Sequence, residues 1–378
     1  MVHKIVHTYK GYQPDPTGGV AEAISMIVGG RDPRFDHSIL VSRERGWGRN
    51  YRDDGVSVHA VLSLGTVSSM PIAPSYPFAV ARAYRSADLM VHHAPFPLTD
   101  LGLALHQRSE PPLIVHWHAD IVRSRLCLKG VAAVMRHTLD RAHRVVVAHD
   151  VIARNSPLLR DHLDKCVVVP YAIDAAAWTA LTAEHREQTD RLRTRHPRLI
   201  VSIGRLVPYK GYDVLLDAMA DLDASLIIIG AGPMRGELLQ RGRKLNLGDR
   251  LILAGHLGRS EMKIVLNAAR VFVFPSVSAA ESFGIAQLEA MTAALPVVNT
   301  ALPTAVPHVA RHGLEGLTVE PRNSVALARA LRTLLDDPSL AAKLGSAGRQ
   351  RVRECFDRPM FLERMGSLYQ QAIASRQP

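Results

Sequence analysis

Residues 271–291 read VFVFPSVSAAESFGIAQLEAM, and this stretch gives the strongest indication of fold in the chain. Its first four residues have the composition of a buried strand, and Pro275 interrupts them. Apolar residues then recur at helical spacing, at Ile285, Leu288 and Met291. The pattern predicts a strand followed by a helix that begins near Phe283 or Gly284. Open α/β sheets bind their ligands where such strands lead into helices.

Two glutamates, Glu281 and Glu289, belong to this stretch. The predicted helix places Glu281 in the preceding loop and Glu289 more than one turn inside. Between them, free backbone N–H groups and the positive end of the helix dipole favour a phosphate. We therefore predict a sugar-nucleotide site, with one carboxylate at the sugar and the other at the ribose. The residues alone also permit a glycosidase acid and nucleophile pair, or a surface charge pattern.

The composition of the chain limits its class and its partners. With 378 residues and 47% hydrophobic residues, the chain can form two α/β cores, and this composition argues against disorder. The net charge of +11 favours anionic partners, namely phosphates, nucleic acid or acidic lipid. The cysteines form no C-x-x-C pair, which indicates the cytosol and no structural metal; they are Cys127, Cys166 and Cys355. No apolar run reaches the ~20 residues of a spanning helix, so we expect any membrane contact to be peripheral.

Short apolar runs alternate with helical segments along the whole chain, which predicts doubly wound α/β sheets. The predicted strands are 4–7, 38–41, 56–62, 89–92, 113–116 and 145–148, then 199–203, 226–230, 251–254, 271–274 and 296–299. A boundary is predicted at 167–174, where VVVPYAID precedes Ala-rich and charged sequence. The tail carries apolar residues at helical spacing, at Phe361, Met365, Leu368 and Ala372, and should lay one face on a core.

Five motifs carry a resemblance to a known family. In chain order they are IGRLVPYKGYDVLLDAM, IIIGAGPMRGELL, LAGHLGRSEM, the 271–291 stretch and HGLEGLTVEPRNSVALARAL. Over 199–335 they resemble the nucleotide-binding half of a retaining glycosyltransferase of family 4, and the N-terminal half resembles it more weakly. The resemblance implies the GT-B fold, two Rossmann-like doubly wound parallel-sheet domains facing across a cleft. It implies an acceptor-binding domain over 1–170, a nucleotide-sugar-binding domain over 171–355, and a C-terminal helix over 356–378 that packs back on the N-terminal domain.

Arg205 and Lys210 lie in the loop GRLVPYKG after a predicted strand. Two cations there can stabilise the charge of a departing nucleoside diphosphate without a metal, and the matching pair grips the diphosphate in the family. The resemblance assigns the donor sugar to Glu281 and the ribose to Glu289. It also implies backbone contacts to the donor from His256, Leu257, Phe283, Gly284 and Ile285. In the family the leaving phosphate acts as the base in front-face attack with retention, so no protein nucleophile is expected.

In the N-terminal half, Gly18 and Gly19 follow the first strand and resemble the family's glycine pair near the donor diphosphate. His118 follows the strand that ends near His116, and the resemblance makes it the histidine that contacts the donor sugar. We therefore predict His118, rather than His116, as a catalytic residue beside Arg205, Lys210 and Glu281. The acceptor side is predicted to include His92, His93 and Asp120.

The acceptor prediction rests on residues 122–144, which read VRSRLCLKGVAAVMRHTLDRAHR. This basic amphipathic segment favours docking on an anionic membrane surface, and the alternative is an ordinary surface helix with its apolar side in the core. Residues 71–102 and 115–122 are similar to bacterial mannosyltransferases of exopolysaccharide and O-antigen assembly. That similarity implies transfer of mannose from GDP-mannose to a polyprenol-linked saccharide, in the cytoplasm or on the inner face of the plasma membrane. The alternatives are a UDP-sugar donor, a non-catalytic sugar-nucleotide-binding protein, or a nucleic-acid-binding protein, for which no module is recognisable.

Two further features bear on these predictions. Gly230 and Gly232 start a pattern like a dinucleotide fingerprint, but the third glycine, Gly236, comes one place too late, so a dehydrogenase is disfavoured. The sequence departs from the family after the 271–291 helix, where Ala293 and Ala294 stand in place of a common glycine. We expect neither a metal nor a cofactor.

Overall fold

The computed structural model describes residues 2–15, 19–67, 70–106, 111–120 and 128–375. The chain forms two compact units. Unit 1 comprises Met1–Tyr171 and Pro359–Pro378, and unit 2 comprises Ala172–Arg358. The C-terminal helix thus belongs to the same unit as the N-terminal strands.

Unit 1 contains an eight-stranded sheet with the order β10-β9-β8-β7-β1-β2-β4-β3. All neighbouring strands are parallel except β3, which is antiparallel to β4. The strands are β1 His3–Tyr9, β2 Phe35–Ser42, β3 Arg49–Asp53, β4 Val56–Val61, β7 Leu89–Ala94, β8 Leu113–Trp117, β9 Arg144–Val147 and β10 Cys166–Val168, and β5 Thr66–Val67 pairs with β6 Met70–Pro71. The helices are α1 Gly19–Val28, α2 Tyr76–Ser86, α3 Pro97–Ala104, α4 Leu128–Arg141, α5 Asp150–Asn155 and α15 Arg358–Ala374.

Unit 2 contains a fully parallel six-stranded sheet with the order β13-β12-β11-β14-β15-β16. Its strands are β11 Leu199–Ile203, β12 Ser225–Ile229, β13 Leu251–Gly255, β14 Val271–Phe274, β15 Val297–Thr300 and β16 Gly316–Val319. Its helices are α6 Ala175–Thr179, α7 Ala183–Arg195, α8 Tyr212–Met219, α9 Arg235–Lys244, α10 Arg259–Ala268, α11 Ile285–Thr292, α12 Val306–Val309, α13 Ser324–Asp336 and α14 Pro338–Cys355. The strand order reverses between β11 and β14, which is where a doubly wound sheet opens a crevice for ligands.

The strands predicted from the apolar runs are present with small shifts at their ends. Strands β11 and β14 have the predicted bounds. The sequence missed β3, β10, β16 and the two-residue strands β5 and β6. Strand β3 is an edge strand of sequence RNYRD without a buried residue, so it has no apolar run to reveal it. Strand β10 has three residues and overlaps the stretch 167–174, which was interpreted as a domain boundary.

The tail forms α15, and its apolar residues at helical spacing are all buried, namely Phe361, Met365, Leu368 and Ala372. The ring of Tyr369, on the same helix, meets Phe35 edge-on with 5.7 Å between centroids. Helix α15 therefore completes the core of unit 1. No helix in the described part of the chain is long and apolar enough to cross a membrane.

The basic segment 122–144 is only partly described, because residues 122–127 lie outside the described ranges. From Leu128 the segment forms α4, which buries Met135 and Leu139 and packs against α3. Arg141 donates hydrogen bonds from Nη1 to the carbonyl oxygens of Leu103 at 2.7 Å and His106 at 2.8 Å. The apolar side of α4 and one of its arginines thus serve the core of unit 1.

Candidate active site

The carboxyl ends of β11 and β14 bring Lys210 and Glu281 together. Lys210 Nζ lies 2.5 Å from Glu281 Oε2, and each side chain is 12% exposed. Ser276, fully buried, donates a hydrogen bond from Oγ to Glu281 Oε2 at 3.2 Å. Lys210 Nζ also lies 4.7 Å from the ring centroid of Phe274, a cation–π distance. The pair therefore occupies the switch point of the sheet, held from both strands.

Backbone packing fixes the loop that carries Lys210. Gly211 has φ +68°, and a Cβ there would lie 2.2 Å from the carbonyl oxygen of Pro275. Next to it, the N–H of Val277 donates to the carbonyl of Tyr209 at 2.8 Å. Only a glycine allows this approach and this backbone conformation together. The two loops therefore meet through their main chains, which positions Lys210 opposite Glu281.

Arg205 follows β11 in the same loop. Its side chain is exposed and has no hydrogen-bond or ion-pair partner among the residues that the structure describes. An exposed guanidinium at the end of a central strand can form two parallel hydrogen bonds with a phosphate. Arg205 therefore remains available to an anionic ligand beside the Lys210 and Glu281 pair.

Helix α11 begins where the sequence predicts a helix start. Its N-cap, Gly284, has φ +83°, and a Cβ there would lie 2.6 Å from the Phe274 ring. The first N–H groups of a helix have no partner within it, so those of Ile285 and its neighbours can bind an anion. Glu289 lies within the helix and is half-buried. The structure thus places the two glutamates before and within α11.

A buried polar network supports this helix from behind. Gln287 Nε2 donates to the carbonyl of Phe283 at 3.1 Å, and Gln287 Oε1 accepts from Asn299 Nδ2 at 2.9 Å. Asn299 Oδ1 in turn accepts from Thr318 Oγ1 at 2.8 Å. A satisfied network of this kind holds one orientation of its members. The start of α11 is therefore tied to β15 and β16.

Gly230 and Gly232 pack a turn directly onto the Arg205 loop. A Cβ at Gly230 would lie 2.1 Å from the carbonyl oxygen of Gly204, and one at Gly232 would lie 2.5 Å from that of Leu206. The N–H of Leu206 donates to the carbonyl of Ala231 at 3.0 Å. These glycines therefore serve close backbone packing beneath the loop.

His256 and Leu257 follow β13, two strands away from β11. His256 is exposed and Leu257 is half-buried. The next helix, α10, begins after Gly258, whose N–H donates to Glu261 Oε2 at 2.7 Å. The two residues thus lie at the carboxyl edge of the same sheet as Lys210 and Glu281.

Unit 1 contains a hydrogen-bonded chain of buried rings around His118. His37 Nδ1 lies 2.9 Å from His7 Nε2, and His7 Nδ1 lies 3.1 Å from His93 Nε2. His93 Nδ1 lies 2.9 Å from His118 Nε2, and His118 Nδ1 is hydrogen-bonded to the Tyr171 hydroxyl. His118 is 4% exposed. Both of its ring nitrogens are therefore engaged inside unit 1.

Burial keeps these imidazoles neutral. It lowers the pKa of His7, His93 and His118 well below the usual value, and neighbouring histidines lower it further. Burial lowers the pKa of His37 to about 4 and that of His116 to about 3. Each neutral ring carries one N–H and one lone pair, so the hydrogen-bonded rings must share a consistent set of tautomers.

The other residues predicted in unit 1 have different environments. His92 is fully buried, with Nδ1 3.4 Å from Thr8 Oγ1. Asp120 Oδ1 accepts from Ser156 Oγ at 2.6 Å, and burial raises the pKa of the Asp120 carboxyl. Gly19 is the exposed first residue of α1, and Gly18 lies outside the described residues.

The sequence did not predict several residues around the Lys210 and Glu281 pair and in the histidine cluster around His118. Ser276 gave no signal, and His7, His116 and Tyr171 were not singled out as members of one cluster. They come from separate strands and loops, so only pairing of the strands brings them together. The spacing of the histidines near 92 and 116, each at the end of an apolar run, is the signal that could have found part of the cluster.

Comparisons with known proteins agree with this architecture. Residues 184–351 match the family described as glycosyl transferases group 1, and residues 18–172 match the glycosyl transferase 4-like domain. The chain is 28% identical over 360 residues to D-rhamnosyltransferase WbpZ of Pseudomonas aeruginosa, covering 93% of this chain and 92% of the relative. It is 25% identical over 384 residues to O-antigen chain mannosyltransferase C of Escherichia coli, covering 99% and 100%. Sucrose-phosphate synthase from Thermosynechococcus elongatus has a similar structure, with a TM-score of 0.78, 21% identity, and coverage of 99% and 100%.

Proposed function

We propose a donor and an acceptor for this chain, which belongs to the family 4 glycosyltransferases and has their GT-B fold. The proposed reaction transfers mannose from GDP-mannose to a polyprenol-linked saccharide, with retention at the anomeric carbon. The observation that carries the proposal is the Lys210 and Glu281 ion pair at the switch point of unit 2. The exposed Arg205 and the start of α11 belong to the same sheet edge.

The charges at this edge suit a nucleoside diphosphate. Arg205 and Lys210 supply two cations, and the first turn of α11 supplies backbone N–H groups. Charge grows on the diphosphate as the glycosidic bond breaks, so fixed donors placed there stabilise the transition state. In the proposed reaction these groups replace a metal ion, and no cofactor takes part.

Glu281 has two tasks in this proposal. Its Oε2 holds Lys210 and Ser276, which fixes the ammonium, and the carboxylate also accepts hydrogen bonds from hydroxyls of the donor sugar. Glu289, within α11, accepts from the ribose. The predicted contact of His118 with the donor sugar is not part of this proposal, because His118 is buried and both of its ring nitrogens already have hydrogen-bond partners. The leaving phosphate accepts the acceptor proton on the front face, so the anomeric configuration is retained without a protein nucleophile.

The sugar is inferred from the relatives. One is named a mannosyltransferase and the other a D-rhamnosyltransferase. D-rhamnose is D-mannose without its 6-hydroxyl, so the two named sugars share every other hydroxyl. We take mannose as the donor sugar and GDP as its carrier, in line with the similarity over 71–102 and 115–122. Nucleotide-linked D-rhamnose and UDP-glucose are the competing donors.

The acceptor is proposed to be lipid-linked, because the mannosyltransferase relative is named for O-antigen chains. The basic segment 122–144 would bring the enzyme to an anionic membrane surface. Within its described part, Arg136 and His137 are exposed on α4, whereas Met135 and Leu139 are buried. Membrane contact is therefore assigned to the exposed side of α4 and not to its apolar side.

A donor panel tests the proposal. Thermal shift would be measured with GDP-mannose, GDP-linked D-rhamnose, UDP-glucose and free GDP, followed by nucleoside diphosphate release on addition of membrane extract. We expect GDP-mannose to be turned over fastest. A site that hydrogen-bonds the 6-hydroxyl would disfavour the D-rhamnose donor by orders of magnitude. Faster turnover of a UDP-sugar would identify that UDP-sugar, and not GDP-mannose, as the donor. Binding of a donor without turnover of any donor would indicate a non-catalytic sugar-nucleotide-binding protein.

A further inference from the structure

We propose that His93, His116 and His118 form a binding site for one divalent transition-metal ion in unit 1. The three residues are buried, and each offers a ring nitrogen within 4.8 Å of the others. This inference is independent of the proposed donor, because the diphosphate contacts lie in unit 2.

The sheet presents the three rings together. His93 in β7 and His116 in β8 are register partners on neighbouring parallel strands. His118 follows the end of β8, and its backbone N–H donates to the carbonyl of Ala94 at 2.9 Å. Three ligands fixed by strand pairing need little rearrangement to meet one ion, which favours binding.

His116 supplies the second observation. It is fully buried, and neither of its ring nitrogens has a hydrogen-bond partner among the described residues. A buried polar group without a partner is uncommon and costs stability. Stacking on His118, with 4.3 Å between centroids, does not satisfy its lone pair or its N–H. A metal ion would use that lone pair.

The other two ligands already have outer partners. His93 Nε2 lies 3.1 Å from His7 Nδ1, and His118 Nδ1 is hydrogen-bonded to Tyr171. Histidine ligands typically use their distal nitrogen in this way, which fixes tautomer and orientation. Their facing nitrogens, His93 Nδ1 and His118 Nε2, lie 2.9 Å apart. Zn–N bonds of about 2.0–2.1 Å in tetrahedral geometry require about 3.3–3.4 Å between nitrogens, so a small opening of this contact admits the ion.

The ligand set defines the class of ion. Three imidazoles suit Zn²⁺, Co²⁺, Ni²⁺ or Cu²⁺, whereas Mg²⁺ and Ca²⁺ require oxygen ligands. We assign the site to Zn²⁺ under ordinary conditions. Bound there, the ion links β7 to the segment after β8 and stabilises the folded form of unit 1. The sequence predicts no metal because its cysteines form no C-x-x-C pair and because His93 lies 23 residues before His116 in the chain.

Cobalt binding tests the site directly. The intact chain, first treated with EDTA, would be equilibrated with Co²⁺ for hours because all three rings are buried. We expect one Co²⁺ per chain with the intense visible absorption of low-coordinate Co²⁺, displaced by Zn²⁺. The melting temperature should rise with Zn²⁺ and stay unchanged with Mg²⁺.

The variants His116→Ala and His116→Gln remove a ligand, and His137→Ala removes an exposed histidine of α4 as a matched control. Loss of an outer-shell partner alone costs 10–100-fold in affinity, so we expect loss of His116 to weaken Co²⁺ binding by about 100-fold or more. Circular dichroism would establish that each variant is folded. Absence of the visible band in the wild type overturns the site, as does a folded His116→Gln variant that binds Co²⁺ like His137→Ala.

Discussion

At the scale of single residues, the donor site rests on cations of two kinds. Lys210 is already neutralised by Glu281, whereas Arg205 is exposed and has no partner in the described chain. A diphosphate that binds here must share Lys210 with Glu281, whereas Arg205 has no partner in the described chain to give up. Arg205 is therefore the side chain whose geometry should matter most for phosphate binding.

Replacing Arg205 with lysine keeps the charge and removes the planar fork that binds two phosphate oxygens. We expect Arg205→Lys to lower kcat with GDP-mannose by about 10²-fold, the usual cost of one transition-state donor. Steady-state release of GDP measures it. Arg243→Lys, an exposed arginine of α9, serves as the control and should behave like the wild type. Equal kcat for Arg205→Lys and the control would remove Arg205 from the site.

Substitutions of the two glutamates should change different kinetic parameters. Glu281→Gln disturbs Lys210 where charge develops, so kcat should fall by about 10²-fold. Glu289→Gln should raise KM for the donor with kcat little changed, because a ribose contact is equally strong in the ground and transition states. Complete donor titrations of both variants measure this. The same loss of kcat in both variants would contradict the separate roles.

The sequence predicted Arg205, Lys210 and both glutamates because they lie within short motifs beside recognisable strands. It did not identify His7, His116 and Tyr171 as parts of the His118 cluster. Those contacts depend on strands β1, β7 and β8 being neighbours and on their register, and local sequence pattern contains neither.

At the scale of elements, the end of α11 contains an alanine in a backbone conformation that favours glycine. Ala294 has φ +55°. Its N–H donates to the carbonyl of Met291 at 3.0 Å, and the N–H of Leu295 donates to that of Ala290 at 3.2 Å. These bonds form a Schellman motif with alanine at the position where glycine is usual. The departure from the family therefore keeps the turn, at a cost in backbone strain.

Ala294→Gly should relieve that strain. A left-handed residue with a Cβ costs roughly 1–2 kcal/mol, and the added freedom of glycine in the unfolded chain offsets part of the gain. We expect the free energy of unfolding to rise by about 0.5–1 kcal/mol in urea denaturation. The control is Ala342→Gly, at an exposed position in the regular helix α14. This variant should lower the free energy of unfolding by about 1 kcal/mol. A lower free energy of unfolding in both variants would show that the backbone of Ala294 is not strained.

The strands were predicted better than their order. Apolar runs identify β11 and β14 because both are buried on two faces, whereas the edge strand β3 is polar and was missed. Sheet order follows from crossover connections, which the family resemblance supplied and the pattern of single segments did not.

At the scale of the whole molecule, the buried histidines make the stability of unit 1 depend on pH. The folded state holds His7, His93, His116 and His118 neutral, while the unfolded chain protonates them near the usual pKa of 6.5. The unfolded state therefore binds more protons below pH 6.5, and stability falls as the pH falls. Each such histidine contributes a slope of about 1.4 kcal/mol per pH unit below that value.

Acid should therefore weaken unit 1 before unit 2. Between pH 7 and 5, with EDTA present, hydrogen exchange should show amide protection in β1, β7 and β8 declining ahead of protection in β11 and β14. Unit 2 is the internal control, and its described histidines with lowered pKa are limited to His196, the C-cap residue of α7. Earlier or equal loss in unit 2 would contradict the histidine account.

The central claim is that this GT-B enzyme moves mannose from GDP-mannose to a lipid-linked saccharide with retention. The most direct measurement incubates the enzyme with GDP-mannose labelled in the sugar and with membrane extract, then follows the label into the lipid fraction and determines the new linkage by NMR. The account predicts labelled lipid-linked saccharide with an α-mannosyl linkage. Label that stays water-soluble while UDP-glucose labels the lipid fraction would contradict it, and so would a β-mannosyl linkage.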